Sequence, residues 1–178
     1  MVRVSKSVLI ALFMLASTAA VAQWYQGPSG GTGGSPFDSW QDSGHASDID
    51  QLSVVVTDSI RCIKIHYRDG TPFVGLYGSC GSGGAEDWHT WKTQAFGLER
   101  DEYLLGIAGT NGDHINSIKF YTNKRTWSPT RGSTSGVPFG YTAPSGQMIV
   151  GLTGRAGESL DSIGVMYAPC PPTTKACR

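Results

Sequence analysis

Short segments of alternating apolar and polar residues, separated by glycine-rich turns, limit what this chain can fold into. In Arg61–Tyr67 every second residue from Ile63 onward is apolar. This period of two predicts a strand with one buried face. The pair Asp69-Gly70 that follows favours a hairpin turn, after which 73–77 is expected to form the return strand.

The same character recurs along the chain and predicts an all-β fold. Asn111-Gly112 is a second hairpin signal, and no segment has a helical period. Since 24 of the 178 residues are glycine, the stretches 27–34 and 78–84 are interpreted as loops. Evenly spaced short strands indicate a sandwich, barrel or prism of antiparallel sheets. The further predicted strands are Leu52–Thr57, Tyr103–Ala108, Ile115–Thr122, Gln147–Leu152 and Asp161–Tyr167.

The first 22 residues differ from the rest of the chain. Arg3 and Lys6 precede the apolar run Val8–Leu15, and the small residues 20–22 close the segment. This order predicts a secretory signal peptide cleaved before Gln23. A membrane anchor is the alternative, but the apolar run is shorter than the ~20 residues that a bilayer span needs. We therefore predict a secreted or extracytoplasmic protein with a signal peptide at 1–22, one domain at 23–169 and a cysteine- and proline-containing tail at 170–178.

All four cysteines lie in the part of the chain expected to be exported, where disulfides are favoured over free thiols. Four cysteines allow three pairings, and proximity along the chain favours Cys62 with Cys80 and Cys170 with Cys177. A zinc site is the alternative, but the sequence has no C-x-x-C spacing and no histidine near the C-terminal pair. Structural disulfides, with no metal and no cofactor, are the prediction.

Charge disfavours nucleic acid as a partner. The segment 23–178 carries two more acidic than basic residues and has no cluster of Lys and Arg interleaved with aromatic residues. Membrane insertion is equally unsupported by the sequence.

Enzyme motifs are missing too. The histidines at 45, 66, 89 and 114 lack metalloprotease spacing, and no G-x-S-x-G elbow is present. The glycines of 31–34 fit neither nucleotide-binding pattern. The acidic residues Glu99, Asp101 and Glu102 are interpreted as an exposed turn rather than as the carboxylate pair of a hydrolase. We predict a protein without catalytic activity.

Three segments together resemble the jacalin-related lectins. The first, Gly27–Asp38, is similar to the family's opening G-P-x-G-G-x-G-G-x-x-F-D, and Ile115–Trp127 is similar to its I-x-S-L-x-F-x-T-N-K-x-x-Y segment. The third, Ile149–Val165, resembles the closing signature I-V-G-F-x-G-R-S-G-x-x-L-D-S-I-G-V. The resemblance spans about 23–168. It implies an all-β fold of the β-prism I type, with three four-stranded antiparallel Greek-key sheets, pseudo-threefold symmetry and a carbohydrate site at one end.

The resemblance also implies the residues of that site. Asp161 closes the G-x-x-x-D loop, and its carboxylate can accept hydrogen bonds from two sugar hydroxyls. Gly157 would supply the tight turn, and Gly34 would let the sugar approach the backbone closely. The loop amides expected to complete recognition are those of Glu158, Ser159 and Leu160.

A third loop, Thr110–His114, lies where the family modulates specificity, so Asp113 and His114 are further candidate contacts. No processing signal separates Gly34 from the residues before it, which in the family goes with a preference for mannose and glucose over galactose. The expected partners are glycans, and a homo-oligomer is possible because avidity usually needs several sites. Trp88 and Trp91 are interpreted as packing residues.

Two departures from the family pattern leave local packing open: Ser29 replaces a frequent tryptophan, and 127–132 replaces Y-G-P-F-G. A lectin-fold scaffold that has lost sugar binding and acts through protein contacts is the alternative function.

Overall fold

The computed structural model describes residues 24–46, 48–68, 74–80, 92–130 and 132–171, which are almost entirely β-structure. Within these residues there are twelve strands and one single-turn helix. The strands are β1 (Trp24–Gly30), β2 (Ser35–Asp38), β3 (Ile49–Val56), β4 (Ile60–Tyr67), β5 (Val74–Gly78), β6 (Lys92–Gly97), β7 (Leu104–Asn111), β8 (Ile115–Thr122), β9 (Thr126–Trp127), β10 (Val137–Thr142), β11 (Gln147–Ala156) and β12 (Leu160–Pro169), and the helix is α1 (Ser39–Asp42).

The strands form three antiparallel sheets of four strands each, in the orders β1-β12-β11-β2, β10-β7-β8-β9 and β5-β4-β3-β6. Each sheet has a hairpin at its centre: β11–β12, β7–β8 or β3–β4. One flanking strand lies beside the second strand of the hairpin and the next lies beside the first, which is the Greek-key order. The repetition of this order gives pseudo-threefold symmetry, and the β-prism expected from the resemblance is confirmed.

The apolar faces of the three sheets meet in one core. Each sheet contributes side chains that are almost completely buried, and removing such a side chain from water is worth about 1.5–3 kcal/mol. The core includes Val54 and Ile63 from the β3–β4 sheet, Ile107 and Phe120 from the β7–β8 sheet, and Leu152, Ile163 and Val165 from the β11–β12 sheet.

The predicted strands are all present, with bounds within a few residues of those expected. Asn111-Gly112 lies at the β7–β8 hairpin as predicted, whereas Asp69-Gly70 lies outside the described residues. The interpretation of 27–34 as a loop was partly wrong, because Gly27–Gly30 belongs to β1. That strand pairs with β12 through its backbone while most of its residues are exposed, so no alternation of side chains marks it.

The prediction of no helical segment was also wrong in one place. Asp38 caps α1: its Oδ1 accepts hydrogen bonds from the amides of Trp40 and Gln41, each at 3.1 Å. A capping aspartate satisfies the amides that the first turn leaves free. A helix of one turn is too short to produce a periodic pattern in the sequence.

The predicted disulfide between Cys62 and Cys80 is present, with a Cα–Cα distance of 4.9 Å. Cys62 is paired across the sheet with Gly78, so the chain must turn back within two residues. Gly78 makes that turn with φ +98, where a side chain would overlap the carbonyl oxygen of Arg61. Cys170 is also disulfide-bonded, and Cys177, its expected partner, lies outside the described residues.

The described part of the chain contains no helix long and apolar enough to cross a membrane.

Candidate functional site

Three loops lie together at one end of the prism, and we call them the three-loop tip: 30–34 from the last residue of β1 to the start of β2, 112–114 between β7 and β8, and 157–161 from the end of β11 into the start of β12. The Gly31 amide donates a hydrogen bond to the Asp161 carbonyl oxygen at 2.8 Å. On its other side, a β-carbon on Gly31 would overlap the carbonyl oxygen of Asp113. The opening loop 30–34 therefore lies between the other two loops.

Gly34 brings the opening loop into direct contact with the loop that ends at Asp161. Its φ is +59, and a β-carbon there would lie 2.5 Å from Asp161 Oδ2. Gly157 faces it, since a β-carbon on Gly157 would lie 3.2 Å from the Gly34 Cα. Side chains at these two positions would push the loops apart, so glycine is needed for this close approach.

Arg155, at the end of β11, holds the opening loop in place. Its Nε donates to the carbonyl oxygens of Thr32 at 3.0 Å and Gly33 at 2.8 Å, and its Nη2 donates to that of Gly34 at 2.6 Å. In a planar trans peptide the N–H points opposite to the C=O. The amides of Gly33 and Gly34 are therefore directed away from Arg155. The sequence analysis missed this role, although Arg155 stands in the closing signature.

Asp161, at the start of β12, lies at the centre of the three-loop tip. Its side chain is only 6% exposed. Oδ1 accepts a hydrogen bond from His114 Nδ1 at 2.8 Å, and the ring nitrogen must be the donor because a carboxylate only accepts. Oδ2 is buried and has no hydrogen-bond partner among the described residues. A buried carboxylate oxygen without a donor is rare and points to a ligand or a functional role.

The loop carrying Glu158, Ser159 and Leu160 is held in place by its contacts with the interior of the protein. Leu160 is fully buried in the core, and the Ser159 hydroxyl accepts a hydrogen bond from Arg61 Nη1 at 3.0 Å. Arg61 Nη2 also lies 4.0 Å from the exposed carboxylate of Glu158. Because Arg61 belongs to β4 in another sheet, no local pattern in the sequence could have assigned it to this end. Gly157 and Glu158 are exposed, so a ligand reaches them first.

All eight predicted site residues lie at the three-loop tip. His114 contacts Asp161 directly, whereas the described contact of Asp113 is made by its carbonyl oxygen. The role of all eight residues in binding stays a prediction. The eight residues are Gly34, Asp113, His114, Gly157, Glu158, Ser159, Leu160 and Asp161.

The two departures from the family pattern are accommodated by local contacts. The Ser29 hydroxyl is hydrogen-bonded to the Tyr141 hydroxyl at 2.5 Å. Trp127 stacks on Phe96 and Phe120, with ring centroids 5.3 and 5.7 Å away. Trp88 and Trp91 lie outside the described residues.

The interpretation of the acidic cluster as an exposed turn was wrong for Glu102. Its side chain is fully buried, whereas those of Glu99 and Asp101 are exposed and pair with Lys124. Both Glu102 oxygens accept hydrogen bonds from Arg125, at 2.8 and 2.9 Å. Burial alone would raise the pKa of Glu102, but the hydrogen bonds from Arg125, the Glu99 amide and the Thr122 hydroxyl lower that pKa to about 2.

Among the described residues, no group of three His, Cys, Asp or Glu side chains could hold a metal ion. A groove of about 450 Å³ lies against β7 and β8 and is bordered by residues that include Thr110, Lys119, Tyr121 and Pro129.

Comparison with known proteins identifies the family. The family model described as the jacalin-like lectin domain matches residues 26–166, and the chain belongs to this family. Members are carbohydrate-binding lectins rather than enzymes, in agreement with the prediction of no catalytic activity.

Relatives and solved structures agree with this assignment. Jacalin-related lectin 5 of Arabidopsis thaliana is 33% identical over 75% of this chain and 18% of its own length. The mannose/glucose-specific lectin of Parkia platycephala is 30% identical over 80% of this chain and 31% of its own length. The chain thus spans less than half of each of these proteins. AcmJRL, a mannose-binding jacalin-related lectin from Ananas comosus, is 26% identical with a TM-score of 0.68, and the match covers 83% of this chain and 99% of that one.

Proposed function

We propose that this protein is an exported lectin that binds mannose- or glucose-type glycans at the three-loop tip. The observation that carries the proposal is the carboxylate of Asp161, which lies among three loops and whose two oxygens have a single described donor, the exposed side chain of His114. A pyranose can supply a donor to this carboxylate, since each of its hydroxyls can donate one hydrogen bond and accept others.

The chemistry of the tip suits a neutral ligand rich in hydroxyls. Asp161 would accept a hydrogen bond from a sugar hydroxyl, while main-chain amides of Gly34 and of 158–160 would donate to the sugar oxygens. The hydrogen bonds from Arg155 hold the opening loop, so its amides are oriented before the ligand arrives. A sugar with a hydroxyl in the wrong position would leave one of these groups unpaired, which is the physical basis of discrimination.

The preference for mannose and glucose rests on two supports. One is the continuity of the opening loop, in which the chain runs from β1 through 31–33 to Gly34. The other is the description of two relatives, the mannose/glucose-specific lectin of Parkia platycephala and the mannose-binding lectin of Ananas comosus. Export is supported by the N-terminal segment 1–22 and by the disulfide between Cys62 and Cys80, a bond that forms in oxidising compartments.

A glycan array with the purified protein tests the proposal, with Asp161→Asn as the diagnostic variant. The expected result is binding to mannose- and glucose-terminated glycans that Asp161→Asn loses by at least about tenfold, because a hydrogen bond to a charged group is worth about 1.5–3 kcal/mol. Asp50→Asn is the matched control, since Asp50 also pairs with a histidine, His66, but outside the tip. Equal signals from the wild type and Asp161→Asn would contradict the proposal.

One observation favours the alternative of a scaffold without sugar binding: Asp161 is nearly buried and already bonded to His114. Under that alternative, the wild type would give no signal on the array.

A further inference from the structure

Neither oxygen of Asp161 is open to a ligand in this structure. Oδ2 is enclosed by the glycines of the neighbouring loops: β-carbons on Gly33, Gly34 and Gly157 would each lie within 3.6 Å of it. Oδ1 is occupied by His114 Nδ1. A sugar hydroxyl that approaches this carboxylate must therefore displace a group that is already there.

His114 is the group that can move. Its side chain is 48% exposed and belongs to 112–114, a short turn between two strands. The next residue, Ile115, is fully buried and fixes the start of β8. Rotation of the His114 side chain would thus uncover Oδ1 without disturbing the core. By contrast, the groups that enclose Oδ2 are backbone atoms held by Arg155 and by strand pairing.

We propose that His114 is an internal competitor of the sugar: its Nδ1–H makes the hydrogen bond to Asp161 that a sugar hydroxyl would make, and the ligand binds by displacing it. This inference rests on the proposed function and specifies its regulation. The free protein keeps a donor on the carboxylate, which lowers the cost of holding a buried charge. The sugar takes over that hydrogen bond when it binds.

The other charged groups around His114 are few. Asp113 precedes it in the same loop, and the opening loop 30–34 and the segment 132–137 contain no charged side chain. On the third loop, Glu158 lies 4.0 Å from Arg61, and Arg155 is bonded to the opening-loop carbonyls. Among these groups, Asp161 is the carboxylate that makes a described contact with the His114 ring.

The test is the affinity for methyl α-D-mannopyranoside, measured by calorimetry. His114→Ala should bind the mannoside about three- to tenfold more tightly than the wild type, because the sugar then has no hydrogen bond to displace from Asp161. His66→Ala is the matched control, because His66 also pairs through Nδ1 with a carboxylate, Asp50, at 2.5 Å; it should keep the wild-type affinity.

A second readout needs no sugar. The ring ¹⁵N chemical shifts of His114 should change in Asp161→Asn but not in Asp50→Asn, because only the first change removes the partner of His114.

The outcomes separate the two proposals. Weaker sugar binding by His114→Ala would make His114 a direct contact and overturn the competitor, as would unchanged binding, or ring shifts that are the same in the wild type and Asp161→Asn. If neither the wild type nor His114→Ala binds the mannoside, the proposed function itself is overturned.

Discussion

Two buried carboxylates lie at opposite ends of the β7–β8 hairpin region and differ in how many hydrogen-bond donors contact their oxygens. Glu102, just before β7, has four donors on its two oxygens: two from Arg125, one from Thr122 and one from the Glu99 amide. Asp161, beside the hairpin tip, has one described donor on Oδ1 and none on Oδ2. The first arrangement is complete without a ligand, and the second is not.

The difference separates a residue that stabilises the fold from one that is available for binding. A carboxylate whose two oxygens hold four donors gains nothing from a ligand, whereas one whose single described donor is an exposed side chain can exchange that donor for a ligand hydroxyl. If this comparison is right, changes around Asp161 alter binding more than stability, and changes around Glu102 alter stability more than binding.

The largest effect is expected for Gly34→Ala. A β-carbon at Gly34 would lie 2.3 Å from the Ala156 carbonyl carbon and 2.5 Å from Asp161 Oδ2, so the opening loop must move away from the Gly157–Asp161 side of the tip. Mannoside affinity should fall by about a hundredfold if two hydrogen bonds are lost. Calorimetry measures it, with Gly44→Ala as the control: Gly44 also has positive φ (+70), but a β-carbon there meets nothing within 4 Å. An equal loss in both variants would show that backbone strain, and not the contact with Asp161, is responsible.

At the other end, Glu102→Gln should destabilise the fold by about 2–3 kcal/mol, because an amide cannot accept the four hydrogen bonds and Arg125 loses its charged partner. Urea unfolding monitored by tryptophan fluorescence gives the free energy of unfolding. Asp101→Asn is the control: Asp101 is exposed, so its pair with Lys124 should contribute much less to stability than the buried pair of Glu102. Mannoside affinity should stay unchanged in both variants, and a loss of affinity in Glu102→Gln would break the comparison.

The pH dependence of stability follows from the same residue. The pKa of Glu102 is about 2 in the folded protein and lies below its value in the unfolded chain, so its contribution is present above about pH 4.5. That contribution is lost as the pH falls from about 4.5 to about 2. The free energy of unfolding of the wild type should decrease over this window, and Glu102→Gln should decrease less. Parallel curves for the two proteins would contradict this assignment.

A smaller effect is expected for Arg155→Lys. A lysine cannot reproduce the planar fork that holds three carbonyl oxygens of the opening loop, so the loop should be ordered less well before binding. Mannoside affinity should drop by about fivefold, corresponding to about 1 kcal/mol. Arg68→Lys is the control, since Arg68 also donates to a backbone carbonyl, that of Glu99, away from the tip. A similar drop in both variants would show that the fork at Arg155 has no special role.

Sequence patterns predicted the inner strands and the family signature predicted the tip. Strands such as β4 and β8 bury one face, so their alternation is visible in the sequence. The end of the edge strand β1 was wrongly predicted as a loop, because this strand is held by backbone pairing. The contacts of Arg61 and Glu102 could not be predicted, since they join residues far apart in sequence or depend on burial. The contact between His114 and Asp161 also arises only when two hairpins meet.

The most direct test of the account is a backbone amide NMR titration of the full protein with methyl α-D-mannopyranoside. The account predicts chemical-shift changes concentrated in 30–34, 112–114 and 157–161, with the amides around Glu102 and Arg125 unmoved. Changes centred on the groove beside Tyr121 and Pro129, or at the Glu102 end, would contradict the assignment of the binding site to Asp161.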